Sequence, residues 1–228
     1  MLSWRNIMIK EYGSVRLFNA EASVPEEWDF SGATHAKVVL DADAATEVEM
    51  QRRGFIFADR TLKTSISLAR CADDLDKKVR LPLLETKEYK QDILRIACSS
   101  FADDRRFHIV PDCSPTLAAF VLEEWVEALD DVLVCLFRDK PVGFLALTQS
   151  ASDALFVHLA AVEEKYRMTG AAMSLYAGAC RLAASRGYKR LEGRISSRNT
   201  AVMNIYAAFG ASFSEPKDIF LKEVRHDA

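Results

Sequence analysis

No stretch of this sequence holds the roughly 18 consecutive apolar residues that a membrane-crossing helix requires, and Met1–Lys10 lacks the apolar core of a secretory leader. Neither a bilayer span nor a signal peptide is expected, and the cytoplasm is the expected compartment. Cysteine is sparse and dispersed. Cys71, Cys98, Cys113, Cys135 and Cys180 form no Cys-x-x-Cys pair and stand by no histidine cluster. An odd, scattered set argues against a disulfide frame and a zinc site and fits reduced thiols, so no metal is expected. Blocks of like charge are missing too, and the 228 residues carry a formal net charge of only −3. Nucleic acid and anionic membranes are therefore not expected as main partners. What the chain does have is hydrophobic residues at half of its positions, enough to bury a real core in one large or two small domains.

The hydrophobic pattern alternates between strand and helix periods. Residues 36–41 read as a strand and 43–53 as a helix closed by Gly54. Residues 55–58 and 62–68 read as two further strands, and 71–78 as a polar linker. Residues 78–84 suit a strand that Pro82 restricts to an edge or a bulge. Residues 89–101 form an amphipathic helix with Ile93, Ile96, Ala97 and Phe101 on one face, and 116–129 a second helix carrying Phe120, Trp125 and Leu129. A hairpin follows, 132–137 and 142–148 around Arg138–Pro141, and then a mostly apolar strand at 155–162. A helix marked by Leu175, Ala179, Leu182 and Ala183 ends at Gly187, a strand spans 188–196, a helix spans 199–209 before Gly210, and a strand closes the chain at 218–224. A meander followed by strand–helix–strand units predicts a mixed α/β sheet.

Two segments carry chemistry. Arg167-Met168-Thr169-Gly170-Ala171-Ala172 lies where a strand gives way to a long helix. Gly170 lets backbone approach a ligand closely, and the free N–H groups of the following helix make a phosphate site. The second segment runs from Asn199 through Ala201, Val202 and Tyr206 to Gly210.

Arg-x-x-Gly-x-Ala followed by Asn-x-x-Ala-x-x-x-Tyr-x-x-x-Gly resembles the GNAT superfamily of acyl-CoA-dependent N-acetyltransferases, and the element order matches that fold over residues 78–228. The resemblance implies acetyl-CoA as co-substrate, with its pyrophosphate on Arg167–Ala172 and its pantetheine arm along Leu159, Ala160, Ala161 and Val162. It also assigns Asn199 and Asn204 to the cofactor side, although Asn199 can equally cap its helix. Tyr206 corresponds to the tyrosine that protonates the departing CoA thiolate, a role a neutral phenol suits because the thiol pKa is near ~8–9. The alternative is that Tyr206 packs in the core with Ile205 and Phe209. His158, in the pantetheine strand, is either a packed core residue or the general base. The loop departs from the family pattern in two places. Ala172 stands where the second glycine is usual, a tolerated change, and Thr169 where a second arginine is usual, which points to weaker phosphate binding.

Residues 1–75 are read as a smaller, non-catalytic N-terminal α/β domain and 76–228 as the acetyltransferase domain. The N-terminal run of helix, Gly54, Phe55 and strand echoes the later helix, Gly210, Phe213 and closing strand. It is either a degenerate half of the same fold or an unrelated cap. Met50 stands four residues before Gly54, where Tyr206 stands before Gly210.

Arg105-Arg106-Phe107-His108 follows the first helix of the acetyltransferase region, on what is the acceptor side in GNAT proteins. The triplet Arg-Phe-His there resembles the TDP-fucosamine acetyltransferases, which implies a nucleotide-activated amino sugar as acceptor, its diphosphate held by arginine forks. A solvated basic loop paired with Asp103 and Asp104 is the competing reading. Another small amine as acceptor (an amino acid, a polyamine or an antibiotic) and a non-catalytic CoA-binding module are the other possibilities. The fold often pairs into homodimers.

Overall fold

A computed structural model describes residues 8–13, 15–71, 75–86, 88–101, 115–129, 131–151 and 153–224, with side chains 71, 115–120 and 151 excepted. Ten strands form one mixed sheet. They are β1 (Met8–Tyr12), β2 (Val15–Ala22), β3 (His35–Asp41), β4 (Ile56–Ser67), β5 (Leu83–Glu85), β6 (Asp131–Phe137), β7 (Lys140–Ala151), β8 (Ala154–Val162), β9 (Arg190–Ser196) and β10 (Ser212–Glu223). The helices are α1 (Ala44–Arg52), α2 (Leu68–Cys71), α3 (Leu75–Lys78), α4 (Lys90–Ser100), α5 (Pro115–Glu127), α6 (Ala171–Ser185) and α7 (Thr200–Ala208). The sheet order is β1-β2-β3-β10-β4-β9-β8-β7-β6-β5.

The order is nearly palindromic. Outward from the central β10·β4 pair, β3, β2 and β1 repeat the pairing of β9, β8 and β7. The β2·β3 and β8·β9 pairs are both parallel, and β1·β2 and β7·β8 are both antiparallel. The units β3–α1–β4 and β9–α7–β10 correspond, and each sends its last strand across to the other side. β10 pairs with β3, and β4 pairs with β9. Gly54 and Gly210 both close their helices at positive φ, 79° and 68°, a conformation glycine adopts without a Cβ penalty. The counterpart of α6 is missing, because β2 and β3 are joined only by residues 23–34.

One face of the sheet carries α4 and α5. Ile93, Ile96, Ala97, Leu122 and Val126 pack there on β6–β8, and Val121 on β2, β4 and β10. The other face carries α6 and α7 over β6–β9, with Leu175, Tyr176, Ala179, Tyr206 and Phe209 in one cluster, and α1 over β2, β3 and β10 through Met50. At the centre, the fully buried Asp218 of β10 takes two bonds from Arg60 of β4, Nε to Oδ1 at 2.6 Å and Nη2 to Oδ2 at 2.8 Å. A fork of this kind compensates a carboxylate removed from water.

Several readings of the sequence need correction. Residues 55–58 and 62–68 are one strand, β4, and not two. The polar Asp59-Arg60-Thr61 that looked like a break is inside it, its charges met by Ser196, which donates to Asp59 at 2.9 Å, and by Asp218. The closing strand begins at Ser212, six residues early. Pro216 and Glu215 (φ 47°) are absorbed in a bulge between Ser214 and Lys217. The expected linker contains the short helix α3 and the last residue of α2, Cys71. β1 and β2 had no reading at all. Pro82 does sit beside an edge strand, since β5 ends the sheet.

Candidate active site

β8 and β9 run parallel and side by side from Ala154↔Arg190 to Val157↔Gly193, and no rung joins them beyond that point. Both continue, β8 to Val162 on the rungs of β7 and β9 to Ser196 on those of β4. The sheet therefore opens into a wedge whose inner walls are the unpaired edges of residues 158–162 and 194–196. A backbone edge with no partner offers N–H and C=O groups to a ligand. Leu159, Ala161 and Val162 are buried on this wall and Ala160 is half-buried.

At the mouth of the wedge, a 3₁₀ turn at Glu164–Thr169 leads into α6 through Gly170, at φ 84° and ψ 7°. Gly170 supplies no side-chain cap, so the first N–H groups of a fifteen-residue helix point outward with the positive end of its dipole. Ala171 is buried, while Met168 is 96% exposed. Arg167 is exposed, and its Nε reaches the Val162 carbonyl at 3.4 Å. Thr169 turns its hydroxyl inward to the Tyr166 carbonyl at 2.7 Å. A second arginine does stand here, but it comes from elsewhere in the chain. The Cδ of Arg80 lies 3.5 Å from where a Cβ on Gly170 would be. Arg80 is held there because the buried Ser174 hydroxyl of α6 accepts the N–H groups of Arg80 and Leu81, at 2.9 and 3.2 Å.

At the apex, Tyr206 is fully buried against Tyr176, ring centroids 5.0 Å apart at 75°. Its hydroxyl hangs over Gly193, the last paired residue, where a Cβ would come within 2.3 Å of it. Burial raises the Tyr206 pKa above its ordinary value, with bonding from Thr64 and Tyr176 acting against that rise. The phenol is thus protonated across the physiological range, as an acid must be.

His158 is the extra residue of a β-bulge, since Ala146 pairs with Leu159 and Leu147 with Val157. The bulge turns His158 toward α5, where its ring meets Trp125 edge-on at 6.0 Å between centroids. The residue is exposed, and partial desolvation beside Trp125 lowers its pKa. A lowered pKa favours the neutral imidazole, the form that a general base needs. The candidate acid and base thus occupy opposite faces of the sheet at the same point of the wedge. Among the described residues no group of three or more His, Cys, Asp or Glu is placed to hold a metal ion.

An Acetyltransferase (GNAT) family model matches residues 93–211, just over half of the chain and the whole of this wedge. The chain belongs to the GNAT family. Acetyl-CoA is the acyl donor of that family. Among solved structures, a conserved protein of unknown function from Staphylococcus epidermidis matches with a TM-score of 0.68 at 16% identity, covering 94% of this chain and 87% of that one. A GCN5-related N-acetyltransferase from Sphaerobacter thermophilus matches at 0.56 and 13% identity, over 85% of this chain and 61% of that one. A tandem GNAT protein from the clavulanic acid biosynthesis pathway matches at 0.54 and 11%, over 86% and 66%. These likenesses are of fold. No curated protein matches the sequence at a significant level.

Other sequence candidates fall differently. Asn199 caps α7, its Oδ1 accepting from the Val202 N–H at 3.1 Å. Asn204 is exposed, two residues and so about 200° around the helix from Tyr206. Arg105, Arg106, Phe107 and His108 lie outside the described residues. Sequence reasoning passed over Gly193, Thr64 and Arg80. Of these only Gly193 carried a signal, as an isolated glycine within a strand pattern, which marks a close approach.

Gly193→Ala is expected to force Tyr206 off its position, because the new methyl would sit 2.3 Å from the hydroxyl and 3.3 Å from Cζ. Overpacking of this kind costs about 1–3 kcal/mol, read as a lower urea midpoint, and turnover should fall with it. Unchanged stability and turnover would mean that Tyr206 swings aside freely.

Proposed function

We propose that this GNAT protein transfers the acetyl group of acetyl-CoA to the primary amine of a nucleotide-activated amino sugar. The observation that carries the transfer is the Tyr206 hydroxyl beneath the apex of the β8/β9 wedge. In this reading the Gly170 N-terminus of α6 and Arg80 hold the pyrophosphate, and the free edge of Leu159–Val162 takes the amides of the arm. The thioester carbonyl then rests at the apex. The amine nitrogen attacks the carbonyl carbon, its surplus proton passing to His158, directly or through water. The carbon–sulfur bond breaks, and the Tyr206 proton goes to the departing sulfur. Residues 1–75 are a degenerate, non-catalytic half of the same fold. The repeated strand pairing supports this, as do the absence of a second wedge, since β2 and β3 stay paired from Leu17↔His35 to Ala22↔Leu40, and Met50 in place of a tyrosine.

The acceptor class rests on the sequence resemblance and on the chemistry of Arg105 and Arg106. A nucleoside diphosphate offers two charges that guanidinium forks grip bidentately. The test is thiol release from acetyl-CoA across a panel of amines that includes several amino-sugar nucleotides. Arg106→Ala is expected to raise KM for the responding sugar nucleotide by roughly 10-fold or more, as for loss of a charge-assisted bond, with acetyl-CoA affinity unchanged. Turnover of free amino acids or polyamines and of no sugar nucleotide would overturn the acceptor and leave the acetyl transfer.

A further inference from the structure

The polar groups around Tyr206 are incomplete in an informative way. Among all buried side-chain oxygens and nitrogens of the described residues, three lack a hydrogen-bond partner of acceptable geometry, and two of these are Tyr206 Oη and Thr64 Oγ1. Both residues are fully buried, and an unmet hydroxyl in such a place costs roughly 1–3 kcal/mol. They are unmet at the same spot. A Cβ on Gly193 would come within 2.3 Å of Tyr206 Oη and 3.2 Å of Thr64 Oγ1, so the two oxygens are close enough to bond directly or through one water.

The backbone explains how they meet. Thr64 pairs with Gly193 in the β4·β9 ladder, and paired residues share a face. The absence of a side chain on Gly193 leaves a notch, and the Tyr206 hydroxyl enters it from α7 while Thr64 flanks it from β4. The neighbouring rungs, Leu62↔Ile195 and Ile66↔Leu191, are apolar on that face, so the threonine hydroxyl has no reason of packing to be there.

We infer that Thr64, supplied by the N-terminal half, is a positioning residue for Tyr206: its hydroxyl donates to the phenol oxygen and leaves the phenol proton directed at the wedge. A phenol oxygen that accepts from Thr64 keeps its one proton for an acceptor outside the cluster. The Tyr176 hydroxyl is the described side-chain group that also bonds to the phenol, and in the proposed transfer the departing sulfur would take the proton in its place. The degenerate half thus contributes a working part of the site it lacks itself. Bonding from Thr64 also works against the rise that burial imposes on the Tyr206 pKa.

This inference rests on the acetyl-transfer reading, and the test separates the two. 3,5-Difluorotyrosine placed at position 206 reports its own ionisation by fluorine NMR. With Thr64→Val, which keeps the shape of the side chain and removes the hydroxyl, the fluorotyrosine should titrate at higher pH than in the parent, and Thr64→Ser should restore it. With whichever amine releases thiol fastest from acetyl-CoA, Thr64→Val should lower kcat about 10-fold without changing KM for acetyl-CoA, and Thr64→Ser should recover most of the rate. An unshifted titration in Thr64→Val overturns the inference whether or not turnover is seen. A shifted titration together with full turnover in Tyr206→Phe keeps Thr64 as partner of the phenol and removes the acid role instead. If Thr64→Val does not fold, Thr64→Ser and Thr64→Ala carry the same comparison, and equal titration in those two overturns it.

Discussion

Tyr206→Phe should fold as the parent does and turn over acetyl-CoA at least ~10²-fold more slowly when protonation of the leaving thiolate limits the rate. The two halves of that expectation have separate grounds. The ring packs on Tyr176 and the α6 core, and phenylalanine keeps that contact. The hydroxyl is buried without a hydrogen bond of full geometry, so loss of the inferred bond from Thr64 is offset by relief of a buried polar group. Stability should therefore hold or rise slightly, as read from urea unfolding. Turnover is another matter. In the proposed transfer the departing thiolate needs a proton, and the buried phenol at the apex is placed to supply it. Parent-like turnover in a folded Phe variant would return Tyr206 to a packing role and leave the transfer without an assigned acid.

Gly170→Glu should abolish measurable acetyl-CoA binding, a loss of ~10²-fold or more by calorimetry, in a protein whose circular dichroism is unchanged. Three effects add. A side chain at φ 84° adopts a left-handed conformation, which costs about 1 kcal/mol. The carboxylate lands where the helix N-terminus favours a phosphate, and repels it. It also lies beside Arg80, which it would neutralise. Gly170→Ala separates these, since it carries only the backbone strain and should lose far less affinity. Equal binding in the parent and the Glu variant would move the pyrophosphate away from α6.

The legible parts of this protein are those where local chemistry and tertiary role agree. Gly170 and Gly210 read as punctuation because their backbone geometry demands glycine, and α4 read correctly because Ile93, Ile96 and Ala97 are both helix-spaced and buried. The tyrosine motif was visible because the helix presents it at a fixed spacing from Gly210. What was hidden depends on partners far along the chain. β4 looked broken at Asp59 and Arg60 because their partners, Ser196 and Asp218, stand more than 130 residues away. β1 presents a largely exposed edge, with burial too slight to leave an alternating pattern. The Thr64–Gly193 rung and the Arg80 side chain over Gly170 are products of topology, and no spacing in the sequence encodes them.

The exchange of β4 and β10 has a bearing on biosynthesis. β10 fills the slot between β3 and β4, two strands that leave the ribosome well before it. Until residues 212–223 emerge, β3 and β4 each expose an edge that this distant strand covers. Non-local pairings of this kind are slow to form, and open edges in the interim invite aggregation. Until β10 is made, the nascent chain carries a seam held open for it, with β1, β2 and β3 on one side, β4 and β9 on the other, and Val121 of α5 packed on both.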